Sequence, residues 1–352
     1  MVNKQKSQAL RSSQASERHS QLATWVGQQL APGAQASLLK PMGNDASFRQ
    51  YYRVQGVHGE VIAVDAPPET EDTAAFVTIA RQWKQEGIKV PEVYSVDLAR
   101  GFMLLEDFGD CLLGDRLHKG SSDSLYSEAI GVLKNIQQLP ADTLPEYNEP
   151  LLRLELSLYP EWFLEGLLGL ALSATEKQAL HRLFDNLVTS ALAQPRVTVH
   201  RDYHSRNLML CPDGQLGVID FQGALHGPLL YDIVSLLKDC YHCWPEEKVN
   251  QWFQLFTNGM PELAQVSTTT QKQWFDWLGL QRHLKCLGIF SRLWLRDGRS
   301  GYLGELPKTL DYVITACQQY PELKHHAKWL RERVAPVLSA SIDRVKKEVS
   351  TA

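Results

Sequence analysis

The chain has 352 residues, 44% of them hydrophobic and 22% charged, with a formal net charge of −4. This length is long for one core and points to two lobes, while the charge gives no general pull toward nucleic acid or an acidic membrane. No run of about 18 apolar residues marks a membrane span, the N-terminus lacks the apolar centre of a secretory signal, and six irregularly placed cysteines read as reduced thiols of a cytoplasmic protein.

Residues 1–18 are polar and lack apolar periodicity, so a flexible tail or a loose extension of the first helix is expected. An amphipathic helix is expected at 20–30, stopped by Pro32-Gly33. Strand patterns follow at 36–39, 48–54 and 61–64, then a helix at 72–86 ended by Gly87, then strands at 90–94 and 101–106. Residues 19–106 thus read as a small, mainly antiparallel lobe with one inserted helix. Beyond Glu106-Asp107-Phe108-Gly109-Asp110 the spacing turns helical, at 125–138, 151–169, 176–194, 232–241, 248–258 and 271–296. Residues 107–352 read as a second, larger helical lobe. Within it, Cys240 and Cys243 form a C-x-x-C around His242. With no second ligand pair at zinc spacing and Cys240 on an apolar stripe, core packing is the expected role.

The most informative stretch, VHRDYHSRNLMLCPDGQLGVID (199–220), lies between two of those helices. Two short apolar runs around the Pro212-Asp213-Gly214 turn read as a β-hairpin. Asn207 and Asp220 flank the turn symmetrically, so the hairpin brings both to one open end beside Asp202. One oxygen-bearing group there can accept a proton and two can hold Mg²⁺, the arrangement of a kinase catalytic loop. Any one of the three alone reads equally as a turn or cap residue. Their combined spacing, with His200-Arg201 ahead, is what carries the chemistry. His200 is expected to brace the loop, and Arg201 either to brace it or to face substrate.

His200, Asp202, Asn207 and Ile219-Asp220-Phe221 match the H-x-D-x-x-x-x-N and I-D-F/W signature of the aminoglycoside phosphotransferase family, which the chain resembles. The segments DASFRQYYRV (45–54), FMLLEDFGD (102–110), DFQGALHGPLLYDIVSLL (220–237) and LGLQRHLKCLGIF (278–290) look most like the branch that phosphorylates the anomeric hydroxyl of N-acetylmuramate and N-acetylglucosamine in peptidoglycan recycling. The resemblance implies an α+β, protein-kinase-like fold and an ATP- and Mg²⁺-dependent enzyme acting on a small sugar, with no nucleic-acid or membrane partner and a monomer as a plausible state. It implies Asp202 as catalytic base, Asn207 and Asp220 as Mg²⁺ ligands, and Asp232 as a buried acid bracing the loop, a residue that equally reads as a helix N-cap. The hinge around Glu106 and Phe108 would meet adenine.

One departure from a typical kinase stands out. No Lys occurs between Pro41 and Trp83 to pair with the ATP phosphates, and no G-x-G-x-x-G is present. Asn44 and Ser47 in the first turn, with Arg49 and Arg53 on the next strand, are the expected phosphate contacts; the two arginines equally read as solvating an exposed face. For the sugar, the candidates are Glu161, Trp162, Arg282 and His283, with Trp162 stacking on the ring and Arg282 meeting the lactyl carboxylate of N-acetylmuramate. A phosphotransferase for another small alcohol and a non-catalytic nucleotide-binding module are the rival readings. Retention of Asp202 and both metal ligands argues against the second.

Overall fold

A computed structural model describes residues 2–30, 39–43, 48–56, 59–117 and 122–351. In chain order it has helix α1 (Val2–Gln29), strands β1 (Lys40–Pro41), β2 (Gln50–Gly56) and β3 (Gly59–Asp65), helix α2 (Thr73–Gln85), and strands β4 (Val93–Asp97) and β5 (Phe102–Glu106). Helices α3 (Ser122–Gln137), α4 (Glu149–Leu158) and α5 (Ala174–Leu192) follow, then β6 (Arg196–Val199), a hairpin of β7 (Leu208–Leu210) and β8 (Leu216–Val218), and β9 (Leu225–Pro228). After these come α6 (Tyr231–Leu237), α7 (Glu246–Thr257), α8 (Thr268–Asp297), α9 (Leu306–Gln319), α10 (Lys324–Trp329) and α11 (Ala335–Thr351). The expected strand at 36–39 lies outside the described residues except for Leu39. Of the two expectations for residues 1–18, a flexible tail or an extension of the first helix, residues 2–18 follow the second and belong to α1; Arg18 Nε donates to Asp65 at 3.0 Å.

The chain divides into two compact units, residues 1–115 with 208–222, and residues 116–207 with 223–352. This division falls at 115/116 where the sequence pattern suggests 106/107, and it groups the hairpin with the sheet. Its packing explains why. Phe108 packs on Met209 and Cys211, Leu210 N–H donates to the Cys111 carbonyl at 2.8 Å, and Val218 N–H donates to the Lys89 carbonyl at 2.8 Å.

In the first unit an antiparallel sheet runs β1-β2-β3-β5-β4. Alternation along β2 turns Tyr52 and Val54 inward, where they meet Leu22, Trp25 and Val26 of α1. Asp72 caps α2 by accepting from Ala75 N–H at 2.9 Å, so the helix expected at 72–86 begins one residue later. The buried stripe of α2 presents Phe76 and Trp83 to Phe221, with ring centroids 4.9 and 5.7 Å apart.

The second unit is organised on α8, whose residues from Phe275 to Gly288 are all buried, including Asp276, Gln281, Arg282, His283 and Lys285. The single helix expected at 151–169 is broken. Pro160 has no N–H to donate, and a π-helical segment, Tyr159–Leu167, follows α4. Strand β6 pairs antiparallel with β9, Val199 opposite Leu225, an element pair that the sequence pattern did not suggest.

Gly288 sets how closely α8 can approach the end of α4, since a Cβ there would lie 2.5 Å from the Leu158 carbonyl carbon and oxygen. Backbone cannot yield as a flexible side-chain tip can, so Gly288→Ala should destabilise by about 1–3 kcal/mol despite its better helix propensity. Gly131 of α3 has nothing within 4 Å of the same position, and Gly131→Ala should stabilise by about 0.5–1 kcal/mol. Chemical denaturation of the two variants should show shifts of opposite sign.

Candidate active site

Strand β6 delivers the chain into the loop that carries Asp202. His200 N–H and Arg201 N–H donate to the two carboxylate oxygens of Asp232, at 2.6 and 2.9 Å. Asp232 lies in the first turn of α6, where Leu230 is the N-cap, so its carboxylate braces the catalytic loop instead of capping its own helix. Burial pushes its pKa up to about 7 against the pull of the two amides. Arg201 takes a left-handed conformation, φ 80, between these amides and Asp202.

Beyond the turn, Asp202 N–H donates to His200 Nδ1 at 3.2 Å, which makes that ring nitrogen the acceptor. Asn207 Nδ2 donates to the Asp202 carbonyl at 2.9 Å and closes the loop on itself. A second buried acid, Asp239, accepts from Ser205 N–H at 3.2 Å and from Ser205 Oγ at 2.5 Å.

Cations surround the Asp202 carboxylate. Arg282 Nη2 stands 3.9 Å from its Oδ1. Desolvation raises the Asp202 pKa, but the charges of Lys285, Arg282 and Arg201 outweigh it and hold the group well below the usual carboxylate range. The carboxylate is thus ionised at neutral pH. Arg282 itself is buried; its Nη1 donates to Cys286 Sγ at 3.4 Å, and its Nε has no protein partner.

In the first unit, the hairpin pairing Leu208 to Val218 is centred on Asp213. Asp220 therefore lies one residue beyond the symmetrical position expected for it, and its φ of 62 turns the chain there. Gln222 Nε2 donates to Asp220 Oδ1 at 2.6 Å, while Phe221 is buried against α2. Asn44 and Ser47 lie outside the described residues. Arg49 is buried beside Glu71, 3.0 Å away, and precedes β2 rather than sharing a strand face with Arg53. Arg53 is held by Asp107 at 2.6 Å and by Asp110 at 2.9 Å. Both arginines are thus engaged by carboxylates, and neither simply solvates an exposed face. The Glu106 side chain pairs with Lys89 at 2.8 Å, and Phe108 is buried under the hairpin.

The sugar candidates separate. Arg282 stands beside Asp202, as described. His283, the next residue on α8, points elsewhere; its Nε2 meets the Lys238 carbonyl at 2.9 Å and its ring stacks on Tyr312 at 4.6 Å. These contacts give the ring a packing role within the second unit. Glu161 is exposed on the π-helical segment and its charge acts on Arg292, ten residues along α8 and about 15 Å from Arg282. Trp162 shares that segment and is partly exposed. Cys240 is buried while Cys243 is exposed. No helix among the described residues is long and apolar enough to cross a membrane.

Sequence reasoning missed a buried polar layer beneath the loop. Glu155 of α4 accepts from Arg201 Nη2 at 2.5 Å, from Gln281 Nε2 at 3.2 Å and from the Tyr147 hydroxyl, and pairs with Lys285 at 3.0 Å. The available signal was weak: Gln281, Arg282 and Lys285 form a polar stripe on α8 that reads as a solvated face until α4 covers it.

A braced loop that holds an ionised Asp ahead of an Asn, and a hairpin that ends at Asp-Phe, are the apparatus of a phosphotransferase. A model of the phosphotransferase enzyme family matches residues 39–266, and the chain belongs to that family. An N-acetylmuramate/N-acetylglucosamine kinase of Pseudomonas aeruginosa is 42% identical over 291 residues, 81% of this chain and 85% of that protein. A protein of the same name from Pseudomonas putida is 38% identical over 326 residues, 89% and 95% of the two chains. Among solved structures, Plasmodium vivax ethanolamine kinase superposes with a TM-score of 0.61 at 11% identity, covering 85% of this chain and 86% of that one. A choline/ethanolamine kinase family protein from Mesorhizobium loti gives 0.58 at 15% identity, covering 88% and 99%. These two show the fold, an α+β protein-kinase-like one.

Burial lowers the His283 pKa to about 3 from an ordinary 6.5, so the folded protein keeps this ring neutral where the unfolded chain takes up a proton. Stability linked to His283 is therefore full above pH 6.5 and lost as pH falls toward 3. His283→Gln should reduce the acid sensitivity of the melting temperature between those values while leaving the KM for ATP and for the acceptor within two-fold. A large rise in acceptor KM would return His283 to the sugar site.

Proposed function

We propose that this chain transfers the γ-phosphoryl group of ATP to the anomeric hydroxyl of N-acetylmuramate, N-acetylglucosamine or both, forming the sugar 1-phosphate during peptidoglycan recycling. The single observation that carries the reading is Asp202, an ionised carboxylate on a loop braced from two sides, in a chain whose relatives of the same family bear that sugar-kinase name. Asp202 would accept a hydrogen bond from the sugar hydroxyl, orient its oxygen toward the γ-phosphorus, and take the proton as the new P–O bond forms. An anomeric hydroxyl is more acidic than an ordinary alcohol, which suits so weak a base.

Asn207 and Asp220 supply hard oxygen donors of the kind that Mg²⁺ takes, and they would be its ligands; Mg²⁺, when bound, neutralises charge on the phosphates. Donation by Asn207 Nδ2 to the Asp202 carbonyl makes the carboxamide oxygen the end that would face a cation. In place of the missing Lys, Arg53 is the candidate phosphate contact. Asp110, with a side chain 77% exposed, is the partner that would yield its place, while Asp107 at 8% would keep its hold. Arg282 would meet the acceptor, its Nε being a buried donor without a protein partner. Consumption of ATP fits a cytoplasmic setting.

Incubation with ATP, Mg²⁺ and a panel of sugars, with the phosphate position read by phosphorus NMR, tests the assignment. Phosphate at C1 of an N-acetylated amino sugar is expected, and Asp202→Asn should cut turnover at least about a thousand-fold while ATP binding persists. Phosphate only on an aminoglycoside or an amino alcohol, or near-normal turnover by Asp202→Asn, would overturn it.

A further inference from the structure

The residue that points Asp202 is Arg201, and Arg201 is strained. A non-glycine residue at φ 80 pays a conformational cost that only its surroundings can offset. Asp232 accounts for the backbone side, since it accepts the amides of His200 and Arg201. The side chain is held separately. Arg201 Nε and Nη2 both donate to Glu155 Oε1, at 3.2 and 2.5 Å. Lys285 Nζ reaches the same oxygen at 3.0 Å, and also the Tyr231 hydroxyl at 3.2 Å. The other oxygen, Oε2, takes the Tyr147 hydroxyl and Gln281 Nε2. The Glu155 side chain is 4% exposed, so no water competes for these bonds.

We infer that Glu155 is a positioning residue of the phosphoryl transfer: it locks the Arg201 side chain, and so holds the left-handed turn that aims Asp202 at the acceptor oxygen. The inference rests on Asp202 being the group that meets that oxygen. Glu155 does a second thing from the same place. It offsets the charges of Arg201 and Lys285, both of which act on Asp202, and so keeps the carboxylate from being drawn into an ion pair with either. Four residues converge on Glu155, two from α8, one from the catalytic loop and one from the segment before α4, which is more than burial of one carboxylate needs. Strain at Arg201 persists because this cluster over-determines it.

The test separates positioning from simple stability. Glu155→Gln removes the charge but keeps the shape. It leaves buried Lys285 and partly buried Arg201 short of a partner, so it can fail to fold. Arg201→Gly is the second variant. Glycine adopts φ 80 without strain, and Glu155 keeps Lys285, Tyr147 and Gln281. Steady-state kinetics should be run with whichever acceptor the wild type turns over fastest, alongside thermal melts. For Arg201→Gly, and for Glu155→Gln if it folds, kcat should fall about a hundred-fold, the cost of a catalytic group misplaced by about an ångström. The KM for ATP should stay within two-fold, and Arg201→Gly should melt near the wild-type temperature. The double variant should be no slower than the slower single one. Wild-type kcat in Arg201→Gly would overturn the inference, as would losses that multiply in the double variant or a KM for ATP that rises in step. A wrong acceptor shows instead in the wild-type product, independently of these ratios.

Discussion

Everything chemical in the second unit depends on a single backbone turn, the left-handed Arg201, because the direction of that residue decides where Asp202 points. The turn is unfavourable in isolation. It is kept by one buried carboxylate that takes its amide and that of His200, and by another that takes its guanidinium. Strand β6, paired with β9, fixes where the loop begins; Asn207, bonded to the Asp202 carbonyl, fixes how it leaves. Helices α4, α6 and α8 each place one side chain against it. The helical unit is thus, from the loop's point of view, a frame for about three residues.

The electrostatics follow from the same frame. Burial alone would favour a protonated Asp202, unable to accept a hydroxyl proton. Lys285, Arg282 and Arg201 reverse that preference. Asp232 moves the other way, up to about 7, because burial outweighs the pull of the two amides that hold it. Two neighbouring carboxyl groups therefore differ because one faces cations and the other faces backbone. This division matches the roles proposed for them: Asp202 to meet the acceptor hydroxyl, Asp232 to tie down the chain.

Much of this was legible in the sequence where the signal is local. Two apolar runs around Pro212-Asp213-Gly214 form the expected hairpin, Asp72 caps the expected helix, and the expected α+β kinase-like fold is the one observed. What escaped is tertiary. Pro160 interrupts an apolar period that looks continuous, since periodicity counts side chains and takes no account of a missing N–H. The β6–β9 pairing joins strands of four residues with no turn between them. The stripe Gln281, Arg282, Lys285 reads as a solvent face because nothing local reveals that Glu155, 126 residues before Gln281, lies opposite. The hairpin's allegiance to the sheet was hidden likewise, since it rests on Phe108 and Lys89, about a hundred residues upstream.

The ring trio of Phe76, Trp83 and Phe221 has a bearing on how such a protein can change over evolutionary time. Phe221 is covalently next to Asp220, and two rings of α2 determine where it rests. A substitution at either helix position would act on a metal-ligand candidate through the ring beside it. Enlargement of one ring would then call for shrinkage of another, so the three positions are expected to drift as a set. The aromatic that follows the acid is in this sense less a part of the chemistry than a fastening that links α2 to it.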